Sequence, residues 1–280
     1  MRPAASGPLP AVVLMHGALQ DPIAFAQMTG FPALAQREGL ALVVPETFDG
    51  HWNDGRRIVF FGMPSMVDDV GFLQQVMADL VADGTALPDA IYLAGFSNGG
   101  LMALTLACRP SPVRPAGIVT AAATLRTALA RDCRPPKPLA VVTVNGTADG
   151  LFPFAGGMGM VNGRTGEAML SAAATADLFA ASNGCGLQAS DRVSGSVEIR
   201  DYRGCPSSGS VLQLALIAGG HLWPADPSAA FGTAAGLDSP ATLAELAWTV
   251  FDVGAGSTGQ LPGDAARIST SPPVAPASTP

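Results

Sequence analysis

The sequence predicts an α/β fold: a mostly parallel central sheet with helices on both faces. Three observations predict it. Apolar runs of strand length alternate along the chain with segments whose apolar residues recur at helical spacing. The strand-like runs are apolar throughout, as expected of strands buried on two sides. The chain has 280 residues with 48% apolar side chains, enough for one large core.

The elements follow in order. Residues 11–15 form the first apolar run, ending in His16-Gly17, and residues 40–44 the second, ending in Pro45. Between them 31–38 is a helix, opened near Pro32 and closed by Gly39. Residues 68–82 place Val70, Leu73, Val76, Met77 and Leu80 on one helical face, and 91–94 form the third strand. A helix over 101–107, a strand over 117–122, a Pro-rich link at 134–138 and a strand over 139–144 come next. Residues 150–166, rich in Gly and Met and without period, read as a loop bordering a site. A helix over 168–181, strands over 197–202 and 211–218, and a helix over 242–251 complete the pattern. Residues 1–10 are a lead-in, 11–253 the folded domain, and 254–280 a Gly-, Ser-, Ala- and Pro-rich tail expected to be disordered.

Charge and hydropathy exclude several classes of partner. Charged residues make up 13% of the chain, about half the usual share of roughly 25%, and mean hydropathy is +0.33. The net charge is −7, and the only lysine is Lys137. Without a basic cluster to track phosphates, nucleic acid is excluded as a partner. No apolar run nears the ~18 residues of a membrane-spanning helix. The opening MRPAASGPLP lacks the apolar centre of a secretory signal, so either the chain stays inside or its signal lies outside this sequence. Cys108, Cys133, Cys185 and Cys205 read either as two short-range bridges in an oxidising compartment or as four buried thiols, and four cysteines allow three pairings.

The chemistry centres on Gly95-Phe96-Ser97-Asn98-Gly99, a G-x-S-x-G pattern entered by a strand and left by a helix. Its glycines permit a tight turn that lifts the serine hydroxyl clear of the sheet. Such a hydroxyl needs a base, normally a histidine oriented by a carboxylate. Of the three histidines, His221 follows a strand end through Gly219-Gly220, where open α/β sheets build their sites. His16 precedes a loop whose backbone, rather than the imidazole, is expected to contribute; His51 reads as a solvated surface residue. Asp149 follows the strand at 139–144 and is the orienting acid. The order Ser97, Asp149, His221 is that of the α/β-hydrolase fold. Acyl transfer also needs two N–H donors for the oxyanion: the backbone of Asn98 and that of Ala18 or Leu19. Leu19, Trp52, Phe154 and Trp223 offer an apolar rim for substrate. No cofactor is called for, and the scattered histidines and absence of C-x-x-C spacing argue against a metal.

Seven strings together resemble one family: LMHG at 14–17, VVPE at 43–46, DDVGF at 68–72, GFSNGG at 95–100, NGTADGLFPFAGG at 145–157, NGC at 183–185 and GGHLWP at 219–224. They resemble the secreted polyhydroxybutyrate depolymerase-like esterases, which include feruloyl and acetylxylan esterases of the α/β-hydrolase superfamily. The resemblance implies the triad above, a secreted or periplasmic location, disulfides joining neighbouring cysteines (Cys108 with Cys133, Cys185 with Cys205), and an aromatic wall near the histidine at Trp223. It implies a serine esterase acting on polyester, feruloyl or related esters; the alternatives are a peptidase on this fold or a binding protein that kept it. The family's usual N-terminal hairpin is missing or reduced here, and Leu151-Phe-Pro-Phe154 replaces a Val-Pro-Tyr type of loop.

Overall fold

The computed structural model describes residues 7–56, 66–135, 138–161, 164–186, 189–202, 204–205 and 209–254. Ten strands and eight helices alternate through the described residues in the order β1 (Leu9–Met15), α1 (Pro22–Thr29), α2 (Phe31–Glu38), β2 (Ala41–Val43), α3 (Asp69–Ala82), β3 (Ala86–Phe96), α4 (Asn98–Cys108), β4 (Gly117–Ala121), α5 (Thr127–Ala130), β5 (Ala140–Gly146), β6 (Gly157–Val161), β7 (Arg164–Met169), α6 (Ala172–Asn183), β8 (Ala189–Ser194), β9 (Val197–Tyr202), β10 (Val211–Leu216), α7 (Ala229–Ala235) and α8 (Leu243–Gly254). Eight strands form one sheet in the order β2-β1-β3-β4-β5-β10-β9-β8, with β6 and β7 as a separate hairpin. The strands from β2 to β10 are parallel, and β9 and β8 add antiparallel.

The sheet is buried on both faces, which explains its apolar strands. Val12 and Leu14 of β1 point into a cluster with Phe25, Phe31, Phe231 and Phe251; Ala11, Val13 and Met15 point into another with Leu73, Met102, Leu104 and Phe179. Turn chemistry sets the helix limits. Asp21 accepts the Ala24 N–H ahead of Pro22 to start α1, and Gly30 (φ 80°) and Gly39 (φ 72°) close α1 and α2 in the left-handed region.

The parallel α/β architecture agrees with the reading of the sequence, and five regions differ from it. The expected loop at 150–166 contains the β6–β7 hairpin, so α6 begins at Ala172 instead of 168. Strand β8, Ala-Ser-Asp-Arg-Val-Ser, lacked an apolar signal because it is the sheet's outer edge, with Val193 largely exposed. Helices α1, α5 and α7 were not anticipated. At the other edge β2 has three residues, and β1 is the first strand of the described residues. The tail expected to be disordered lies, beyond Gly254, outside the described residues. No helix among the described residues is long and apolar enough to cross a membrane.

Candidate active site

Strand β3 runs into α4 through Ser97, whose backbone has φ 52° and ψ −118°, a region that non-glycine residues seldom occupy. The turn closes only because its neighbours have no side chains: a Cβ on Gly95 would strike the Gly99 carbonyl, and one on Gly99 would strike the carbonyl of Met15. Ser97 N–H donates to Ala121 O at 2.9 Å, tying the turn to β4.

Two more strand ends bring the partners. The Ser97 hydroxyl lies 2.8 Å from His221 Nε2, and His221 Nδ1 lies 2.8 Å from Asp149 Oδ2. A carboxylate can only accept, so Nδ1 carries the proton and Nε2 is free to accept from Ser97. The other oxygen of Asp149 accepts the N–H groups of Leu151 (2.8 Å) and Phe152 (3.0 Å), which fixes the carboxylate plane; its side chain has no exposure to solvent. The loops after β5 and β10 are zipped together: Thr147 N–H donates to Leu216 O, Ala148 N–H to Gly219 O, and Ala218 N–H to the Thr147 hydroxyl. The imidazole sits between Phe96 and Phe152, with ring centres 5.2 and 5.6 Å away.

The structure thus brings together Ser97, Asp149 and His221, three residues far apart in the chain. For the oxyanion donors it separates the two candidates in the first loop. Leu19 N–H is spent on Gly50 O at 2.7 Å. Among the described residues only the Ala18 and Asn98 N–H groups of the three candidates are left without an intramolecular acceptor.

The expected aromatic rim is corrected. Trp52 is fully buried and donates its indole N–H to His16 O at 2.9 Å. Trp223 is also buried, edge-on to Phe25 and against Phe31. Both are core residues, Phe154 is half-buried, and Leu19 stands 57% exposed. The rings beside the histidine are Phe96 and Phe152, which sequence reasoning missed; their signal was adjacency to Ser97 and to the acid loop. His51 is buried, not solvated, with Nδ1 3.2 Å from Asp49 O. His16 is buried too; its Nδ1–H donates to Gly17 O, and burial holds its pKa below the usual value. All four cysteines are bridged, Cys108 to Cys133 and Cys185 to Cys205. Among the described residues no three His, Cys, Asp or Glu side chains converge as a metal site.

Comparison with known proteins gives a consistent picture. The sequence model of the esterase PHB depolymerase family matches residues 2–129. A putative esterase, NocK, of Nocardia uniformis subsp. tsuyamanensis is 28% identical over 228 residues, covering 77% of this chain and 65% of its own. Feruloyl esterase B of Piromyces equi is 26% identical over 160 residues, 55% of this chain and 29% of that protein. The chain therefore spans less than two thirds of the length of either relative. Among solved structures, an acetyl xylan esterase from Aspergillus awamori superposes with a TM-score of 0.53 over 78% of this chain and 85% of that one; at 11% identity the likeness is one of fold.

Proposed function

We propose that this chain belongs with the polyhydroxybutyrate depolymerase-like esterases of the α/β-hydrolase superfamily and is a serine carboxylesterase. The observation that carries the reading is the hydrogen-bonded row from Asp149 through His221 to Ser97, with 2.8 Å at each step. His221 Nε2 takes the Ser97 proton as Oγ bonds to the ester carbonyl carbon, and the carbonyl electron pair moves onto oxygen. That oxyanion is met by the N–H groups of Ala18 and Asn98, the latter at the positive end of α4. Collapse expels the alcohol, which leaves with the proton from His221. Water then repeats the sequence: it gives a proton to His221, attacks the acyl-enzyme and frees the acid as Ser97 recovers its proton.

Apolar surroundings suit an acyl chain or aromatic acid. Phe96 and Phe152 flank the imidazole, Leu19 follows Ala18, and Leu222, 42% exposed, follows His221. Polyhydroxyalkanoate-type polyesters, feruloyl esters and acetylated sugars are the substrate classes. Two disulfides support a secreted or periplasmic location. The experiment is labelling of Ser97 by an alkyl phosphonate, with hydrolysis of hydroxyalkanoate oligomers, feruloyl esters and p-nitrophenyl esters measured beside aminoacyl amides. Ester turnover with a labelled Ser97 supports the reading. A folded protein that resists the phosphonate, or that cleaves amides as fast as esters, overturns it.

A further inference from the structure

Residues 50–56, after β2, bury more hydrogen-bonding chemistry than packing requires. Trp52 N–H donates to Asn98 Oδ1 at 2.7 Å, and Trp52 O accepts from Asn98 Nδ2 at 3.0 Å, so the amide pairs with the loop as a neighbouring strand would. The Trp52 indole donates to His16 O, and Gly50 O accepts the Leu19 N–H. Asn98 Nδ2 also donates to Asp54, a carboxylate 1% exposed whose two oxygens each accept from Arg56 Nε at 2.9 Å. Arg126 Nη2 holds the Asp54 carbonyl at 2.6 Å.

These bonds converge on the two segments that carry the Ala18 and Asn98 N–H groups. Strands β1 and β3 are laddered side by side only as far as Met15 and Gly95. Beyond that pair no ladder hydrogen bond sets the distance between the two donors; the backbones touch where Gly99 packs on the Met15 and His16 carbonyls, and the 50–56 segment adds the hydrogen bonds, to residues 16 and 19 on one side and to residue 98 on the other.

Building on the esterase reading, we propose that Trp52 and the Asn98 side chain, backed by Asp54 and Arg56, are positioning residues that fix the two oxyanion donors relative to each other. Oxyanion donors act only when aimed at where charge develops, and a displacement of about 1 Å costs about 10²-fold in rate. Main-chain donors on two separate elements need such a brace. Burial strengthens it, because any group it released would be left unpaired in a medium of low polarity. The guanidinium of Arg56 also lies 5.8 Å from the centre of the Phe152 ring, which packs on His221, so the same support reaches the base.

The test compares Trp52→Phe, which removes the N–H to His16 O and part of the ring volume but keeps the Trp52 backbone pairing with Asn98, with Asn98→Ala and the volume-keeping Asn98→Leu. Each is assayed for kcat and KM on a p-nitrophenyl ester, for the rate of Ser97 phosphonylation and for Tm. Expected are losses in kcat of about tenfold for Trp52→Phe and about 10²-fold for both Asn98 variants, with KM near the unmodified value and phosphonylation slowed in parallel. Folded variants phosphonylated within about twofold of the unmodified rate, or full activity in Asn98→Leu, overturn the brace; should the Asn98 variants not fold, Trp52→Phe decides alone. An unmodified protein that resists the phosphonate overturns the esterase reading and the brace together, whereas a labelled one with unslowed variants overturns the brace alone.

Discussion

The parallel strands from β2 to β10 and the antiparallel margin of β9 and β8 belong to one sheet, yet they differ in how their ends are made. All four non-glycine residues with positive φ among the described residues, Leu19, Ser97, Ala122 and Ala218, stand past the ends of parallel strands. At the margin positive φ falls to glycines, Gly195 between β8 and β9 and Gly204 after β9. The parallel ends accept strain of about 1–3 kcal/mol per residue and carry the proposed site; the margin avoids it and is held by the Cys185–Cys205 bridge. Backbone strain is thus gathered where the chemistry is proposed and avoided at the margin.

Four substitutions can break or sharpen that division. The largest effect is expected at Ser97: Ser97→Gly should lower kcat by about 10⁶-fold while raising stability by about 1 kcal/mol, since glycine accepts the strained backbone. A lower Tm in denaturation would place the strain elsewhere. Asp149→Asn should cost about 10⁴-fold in kcat, because an amide that donates to Nδ1 leaves the imidazole proton on Nε2, the tautomer that cannot accept from Ser97. KM should stay close to normal. At the margin the pattern should invert. Replacing Cys185 and Cys205 by serine should remove about 3 kcal/mol, from a bridge with a sequence separation of 20, and leave kcat unchanged; a parallel loss of activity would join the two regions.

The smallest effect lies outside both regions, at the start of α8. Glu245 accepts the Thr242 N–H and hydroxyl, Thr242 accepts the Glu245 N–H, and Arg37 lies 3.0 Å from the same carboxylate. The Thr242 N–H above all holds the Glu245 pKa below the usual range. A lowered carboxylate pKa stabilises the fold above its unfolded value and ceases to do so as pH falls through the folded one. Glu245→Gln should therefore cost about 0.5–1 kcal/mol near neutral pH, with the Tm gap closing in acid; a gap independent of pH would assign the effect to hydrogen bonding alone.

The division also marks what was legible in the sequence. Ser97, Asp149 and His221 could be read because each follows an apolar run of strand length, and parallel topology gathers strand ends on one rim. Trp52 and Trp223 could not be assigned in this way, since an indole suits a core as well as a substrate wall. Nor could Leu19 be set apart from Ala18, because main-chain N–H groups are alike in sequence and only the Gly50 carbonyl distinguishes them. The β6 segment, Gly-Met-Gly-Met-Val, has too many glycines to show a strand's alternation, and β8 is polar because it lies at an edge.

All eleven residues of α4, from Asn98 to Cys108, are buried, and the helix presents no face to water. A mutation there disturbs packing whatever it does to chemistry, so this part of the molecule is nearly closed to evolutionary experiment. Novelty in substrate choice has to arise in the surface loops around the rim, which can lengthen, shorten or change character while the machinery beneath them stays as it is.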